Sequence, residues 1–239
     1  KSAGDAGDPQ KLLDRYGADT VRTAMMFAAP PEQSFEWSEA GLEGAARFLK
    51  RLWTAVHDHV ARGDVPSLSV ADLSSAGKAL RRKTHETLQK ADDDYGRRQQ
   101  FNTVVSAVME LLNTVAKTEL ANDADRGAVQ EAWVSAVLII SPIAPHIAHE
   151  LWTVLGMSEP LVGYPWPGID ATALEQDSLT LVVQVNGKVR GQVDVAKDAD
   201  REAILAMARA DANVQRHLEG KTVRKEIVVP NKLVNIVVG

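Results

Sequence analysis

Residues 38–63 read SEAGLEGAARFLKRLWTAVHDHVARG, and their spacing sets the fold class. Ser38 offers a hydroxyl to cap a helix N-terminus. Leu42, Ala45, Leu49, Leu52, Trp53, Val56 and Val60 then recur at steps of three and four, which places them along one stripe of an α-helix. Gly63 closes it. A stripe this long needs apolar partners, so neighbouring segments are expected to be helices of the same kind.

They read that way in both directions. Upstream, Asp8-Pro9 supplies a capping acid and a proline at the first helical position, and the short helix ends at Gly17. A second helix is expected from Asp19 to Ala28, where Pro30-Pro31 stops it. Downstream, Ser74 or Ser75 opens a helix reaching Asp94. The next is expected from Arg97 to Leu120, striped by Phe101, Val104, Val105, Val108, Leu112 and Val115. Asp123 to Asp125 cap a further helix ending near Ile140, and Ser141-Pro142 restarts the chain into a last one that stops at Gly156. The expectation is a mainly α protein: a connector over 1–37, then an antiparallel helical bundle over 38–159.

The pattern changes after that. Pro160, Gly163, Pro165, Pro167 and Gly168 crowd residues 160–178, which predicts an extended linker. From Leu179 the apolar period is two. Leu179–Val185 and Lys188–Val195 flank Asn186-Gly187, a strong hairpin signal. A helix capped by Asp198 or Asp200, a shorter one over 214–218, and strands over 222–229 and 233–238 complete residues 179–239. This predicts a small α+β domain of hairpin–helix–hairpin order.

Composition excludes several classes. The 239 residues carry 27 Lys/Arg, 32 Asp/Glu and a net charge of −5, so the chain is not polybasic. Cysteine is absent, which removes disulfides, Cys-based metal sites and thiol chemistry, and fits a reducing, cytoplasmic setting. No apolar run reaches the roughly 18–20 residues that cross a bilayer, so no membrane association is expected. The net charge is an average. From Gln176 onward there are ten Lys/Arg against eight Asp/Glu; before it, 17 against 24.

Candidate chemistry is sparse. His146, His149 and Glu150 could share a helix face, but H-I-A-H-E matches neither zinc-protease order, H-E-x-x-H nor H-x-x-E-H, so no metal is expected. Gly220-Lys221-Thr222 resembles the end of a phosphate loop whose first glycine is replaced by Gln215. Basic faces are the stronger signal. Arg47, Lys50 and Arg51 stand at i, i+3 and i+4; Lys78, Arg81 and Arg82 repeat that spacing; Arg97 and Arg98 begin a helix. In the terminal domain, Lys188 and Arg190 share a strand face, and Lys221, Arg224, Lys225 and Lys232 surround the second hairpin. Such groups suit a phosphate backbone, since each neutralised phosphate releases a counterion. The same spacings also describe ordinary solvated faces.

Whole phrases resemble a known family. RYGADTVR (15–22), MMFA (25–28), Glu36-Trp37, GAARFLKRLW (44–53), Phe101-Asn102-Thr103 and PIAPH (142–146) resemble the segment that follows the catalytic core of class I leucyl-tRNA synthetases. VVQVNGKVRG (182–191) and VVPNKLVNIVV (228–238) resemble the C-terminal domain of the bacterial type. The chain lacks an initiator Met and reads as the interior of a longer polypeptide. Lys1-Ser2 would be the last two residues of the K-M-S-K-S signature, with Lys1 contacting ATP phosphates in the intact enzyme; the first three signature residues are absent.

The resemblance implies a ligase that uses ATP, with magnesium, to join leucine to its tRNA through leucyl-adenylate. The catalytic and editing domains would lie upstream as partners in the same polypeptide. This part would bind leucine tRNA as a monomer, with no cofactor and no catalysis of its own. Rival readings are a helical protein-interaction scaffold, a metal-dependent hydrolase on the His146 cluster, and the same region of a sister synthetase for methionine, valine or isoleucine.

Overall fold

The computed structural model describes residues 9–30, 32–34, 38–175 and 178–239, with the backbone alone at Ser178. Lys1, Ser2, the Asp8 cap, Pro31 and Glu36-Trp37 lie outside the described residues. The chain divides after Leu174 into two compact units, each with a core of its own.

In the first unit the helices are α1 (Pro9–Tyr16), α2 (Ala18–Ala28), α3 (Glu39–Val60), α4 (Ser75–Asp93), α5 (Phe101–Lys117), α6 (Asp123–Ile140), α7 (Pro145–Val154) and the single turn α8 (Ala171–Leu174). Ser38 caps α3 by accepting from the Gly41 N–H at 3.0 Å. The α3 stripe is buried at Leu42, Ala45, Leu49, Leu52 and Val56. Trp53 is not part of that core: it is 38% exposed and stacks on His57, 4.3 Å between ring centroids. Phe48 takes the inward place instead. The centre of the bundle is α6. Twelve of its 18 residues are buried, so it is apolar nearly all round and the other helices wrap it.

Three boundaries differ from expectation. After Asp93 the chain makes one π-helical turn (Asp94–Arg98) and a left-handed residue, Gln99 (φ 51°), before α5 starts. Arg97 and Arg98 therefore end one helical run rather than open the next. The cap of α6 is Asn122, whose Oδ1 accepts from the Asp125 N–H, while Asp125 turns inward. The last long helix begins at Pro145, not at Ser141-Pro142, because proline is preorganised for the first helical position.

Residues 160–174, expected as part of an extended linker, pack on the bundle. Leu161 is 6% exposed, Tyr164 meets the Trp152 ring edge-on at 4.8 Å, and Trp166 meets Tyr95 at 6.2 Å. Asp170 receives a hydrogen bond from Arg81 Nη2 at 2.7 Å, and its own N–H donates to His85 Nδ1 at 3.2 Å. The prolines set an extended backbone, but its aromatic side chains hold it against the helices.

The second unit is β1 (Ser178–Val185), β2 (Lys188–Ala196), α9 (Arg201–Ala210), α10 (Ala212–Leu218), β3 (Val223–Val229) and β4 (Leu233–Val238). Its sheet has the order β2-β1-β4-β3 and is mixed, since β1 and β4 run parallel. The two terminal hairpins are thereby joined edge to edge, with two helices between them in sequence. Leu181, Val183, Val185, Val195, Val234, Ile236 and Val238 bury one face of the sheet with Leu205, Ala208 and Val214 of the helices. Asn186 (φ 51°) and Gly187 (φ 77°) make the tight turn, whose two positive φ angles that pair of residues tolerates.

Candidate nucleic-acid interface

The basic residues of the second unit are sorted by strand direction. β1 and β4 end together: Asn186 Nδ2 donates to the Val238 carbonyl at 3.1 Å, and the Val238 N–H returns a bond to Asn186 Oδ1 at 2.9 Å. β3 begins at that same end, where Thr222 and Gly239 exchange backbone hydrogen bonds at 3.1 Å. Lys188, Arg190, Lys221, Arg224 and Lys225 are thus brought to one end of the sheet. Lys232 is not among them. It sits in the opposite turn, five residue rises of about 3.3 Å away along β4, roughly 17 Å.

Two bulges modify the simple pattern. Val183 pairs with Gly191 and Gln184 with Val189, so Arg190 is an extra residue in β2. Strict alternation between Lys188 and Arg190, expected from their spacing, is broken there. Arg190 is half-buried; its Nε has no hydrogen-bond partner among the described residues, and its carbonyl accepts from Asn213 Nδ2 at 2.6 Å. Likewise Val223 pairs with Val238 and Lys225 with Val237, which makes Arg224 the extra residue of β3. Lys221 Nζ leans back onto the His217 carbonyl at 3.1 Å. The resemblance of Gly220-Lys221-Thr222 to a phosphate loop ends there: Gly220 (φ 72°) closes α10 and Thr222 enters strand pairing.

On the bundle the basic groups differ in availability. Arg47, Lys50 and Arg51 lie exposed along α3. Arg47 is 3.6 Å from Glu43, a surface pair of little energetic weight. Arg51 Nη2 reaches Asn113 of α5 at 2.7 Å. Arg62, which sequence spacing did not single out, continues the same face just beyond α3. The face-sharing positions 47, 51, 58 and 62 carried the signal, obscured by Asp58 at the third. Arg97 is held by Asp93 through two hydrogen bonds of 2.6 and 2.9 Å. The hydrogen bond from Arg97 keeps the Asp93 carboxyl below its ordinary range and raises Arg97. Arg98 bonds the fully buried Asp94 at 2.9 Å, beside Lys90 and Thr103. Both arginines thus carry bound carboxylates. Arg81, which spacing grouped with Lys78 and Arg82, is 7% exposed and faces Glu131 and Asp170.

His146 lies at the surface, its side chain 77% exposed. Its Nδ1 lies 2.8 Å from Asp19 Oδ1, and Asp19 Oδ2 accepts from the Ile147 N–H at 2.7 Å, so Asp19 of α2 caps the first turn of α7. Lys1 and Ser2 lie outside the described residues. Among the described residues no helix is long and apolar enough to cross a membrane.

The comparisons with known proteins agree with one another. A family profile described as the anticodon-binding domain of tRNA ligase matches residues 77–205. The leucine–tRNA ligase of Alcanivorax borkumensis is 56% identical over 237 residues, 99% of this chain and 29% of the relative. That of Thioalkalivibrio sulfidiphilus is 56% identical over 238 residues, 100% of this chain and 29% of the relative. The chain therefore spans less than a third of the length of these curated relatives. Among solved structures, the ternary complex of Agrobacterium radiobacter K84 AgnB2 LeuRS with tRNA and LeuAMS aligns with a TM-score of 0.72 at 25% identity, covering 97% of this chain and 30% of that one. Free-state Mycobacterium tuberculosis methionyl-tRNA synthetase aligns with a TM-score of 0.50 at 20% identity, over 67% of this chain and 40% of that one, a likeness of fold alone.

Proposed function

Since the chain belongs to the anticodon-binding-domain family of tRNA ligases, we propose that it is the tRNA-binding C-terminal part of a leucine–tRNA ligase. The observation that carries this reading is the extent of the likeness: 56% identity to leucine–tRNA ligases over 99% of the chain, through both units. The likeness to a methionine enzyme is of fold and does not favour a sister specificity. In the proposed parent, a cytoplasmic translation enzyme acting as a monomer, upstream domains activate leucine with ATP and magnesium. Lys1 and Ser2, as signature remnants, would serve ATP only in that company. The present chain holds the tRNA.

The basic end of the second unit is the proposed main contact, through Lys188, Arg190, Lys221, Arg224 and Lys225. Arg47, Lys50 and Arg51 on α3 form the proposed contact of the bundle. Arg97, Arg98 and Lys232 are secondary, the arginines because their charges are already bound to carboxylates, the lysine because it stands apart. The chain alone should catalyse no leucine-dependent pyrophosphate exchange. Its affinity for a leucine tRNA transcript should fall on changing Lys188 and Arg190 to Ala, and the dependence on log salt should flatten by about one for each phosphate no longer neutralised. An unchanged salt slope would return both residues to an ordinary solvated face and overturn their part in the reading.

A further inference from the structure

Asn186-Gly187 is the one Asn-Gly pair of the sequence, and it combines two chemistries. As a turn, it supplies the two positive φ angles of the first hairpin. As a covalent sequence, it sets a side-chain amide beside a backbone N–H whose own residue has no side chain to shield it. That nitrogen can give up its proton and attack the Asn186 Cγ. A succinimide ring closes, the Cγ–Nδ2 bond breaks, and Nδ2 leaves as ammonia. Water then opens the ring at either carbonyl, which leaves aspartate or isoaspartate where asparagine stood. Both residues are exposed, so water has access.

The fold restrains both partners of this step. The Gly187 N–H donates to Asn235 Oδ1 at 3.1 Å, so the attacking nitrogen is engaged. The Asn186 N–H donates to the Ile236 carbonyl at 3.0 Å. The side-chain amide is held at both ends by one residue of β4: Nδ2 donates to the Val238 carbonyl at 3.1 Å, and Oδ1 accepts from the Val238 N–H at 2.9 Å. Only an amide satisfies that pair, because the carbonyl needs a donor and the N–H an acceptor. We propose that Asn186 is a deamidation site which Asn235 and Val238 hold closed, and whose conversion switches off the basic end of the second unit. The product carboxylate has no donor for the Val238 carbonyl, so the seam between β1 and β4 loses a bond and gains a repulsion. It also sets a negative charge at the end of the sheet that carries Lys188, Arg190, Lys221, Arg224 and Lys225, and so opposes phosphate binding. This second consequence rests on the tRNA-binding reading above; the site itself does not.

Deamidation is followed by peptide mass spectrometry on the folded chain, on the chain unfolded in urea, and on folded Asn235→Ala and Asn235→Asp. Losing the Asn235 acceptor should speed the loss of Asn186 about fivefold, the worth of one hydrogen bond, while Asn235→Asp, which keeps an acceptor, should stay near the parent rate. The unfolded chain should react fastest. A folded parent as fast as the unfolded chain, or Asn235→Ala no faster than the parent, would overturn the proposal. Exchange of the Gly187 amide hydrogen, measured on the parent by NMR, decides the same point without a variant: slow exchange is expected, and exchange at the unfolded rate would overturn it. For the consequence, a leucine tRNA transcript is titrated against Asn186→Asp and Asn186→Ala across a salt series. Both variants lose the donor to Val238, but Asn186→Asp should also flatten the salt slope by about one. Equal slopes would overturn the switch. Should the parent chain bind no tRNA at any salt, the underlying reading fails and the switch with it, and the deamidation rates still decide the site.

Discussion

Replacing Arg81 by Met tests what fastens residues 160–174 to the bundle. The substitution keeps most of the side-chain stem and removes the guanidinium. Arg81 is 7% exposed, with Nε 3.2 Å from Glu131 Oε2 and Nη2 2.7 Å from Asp170 Oδ2. The first approach is an ion pair without the alignment of a hydrogen bond; the second is both. Taking one partner from a buried pair leaves the other charge desolvated, at a cost of about 3–5 kcal/mol. Glu131 keeps His85 at 3.2 Å, which argues for the lower end, about 3 kcal/mol. In a unit of this size that is a fall in Tm of roughly 6–12 °C. Asp170, its side chain 37% exposed and screened by solvent, adds little to that cost. Hydrogen bonds from Thr172 first, then Arg81, hold its carboxyl well below the usual range. Thermal unfolding followed by circular dichroism gives the first readout, and the rate of proteolysis within 160–174 the second. A loss under about 1 kcal/mol with unchanged proteolysis would show that the segment is held by Leu161, its aromatic contacts and the Asp170 N–H bond to His85 without Arg81, and would refute the reasoning.

Three further outcomes are expected. Gly77→Ala places a methyl group against Asp125 Oδ1, and Asp125 is fully buried with bonds from Ser74 N, Ser74 Oγ and Ala121 N; the overlap should cost about 1–3 kcal/mol by urea unfolding, and a neutral result would mean that α4 shifts freely. His59, lowered by burial, binds a proton more readily unfolded than folded, so its contribution is present above pH about 6.5 and lost as pH falls below it. The urea midpoint should therefore drop less between pH 7.5 and about 5.5 in His59→Gln than in the parent chain; equal drops would contradict the assignment. Asp19→Ala should remove the cap on α7 and the bond to His146 at a cost of about 1–2 kcal/mol, read as a lower Tm, whereas no change would leave that contact without energetic weight.

The helices were legible because their stripes and caps are local. Ser38, Ser74 and Asp200 each accept the expected backbone N–H of their helix, and the Asn186-Gly187 turn fixes the first hairpin. What escaped depended on partners far along the chain. Arg81 sits at surface-like spacing with Lys78 and Arg82, but its carboxylate at Asp170 lies 89 residues on, and no periodicity connects them. The proline-rich segment hid its attachment in plain residues: Leu161, Tyr164 and Trp166 are anchors that a free linker would not need. In the second unit, the parallel joining of β1 to β4 and the bulges at Arg190 and Arg224 are tertiary choices of register. These decide which basic residues share an end, and so separate Lys232 from the rest.

The proposed function has this chain hold leucine tRNA by itself through phosphate contacts. Its most direct test is the affinity of the purified chain for a leucine tRNA transcript as salt is raised from about 50 to 200 mM. Four or more phosphate contacts predict a slope of log affinity against log salt of about −3 or steeper, and binding that falls by at least roughly 60-fold over that range. Absence of binding at the lowest salt, or an affinity that salt leaves unchanged, would contradict it.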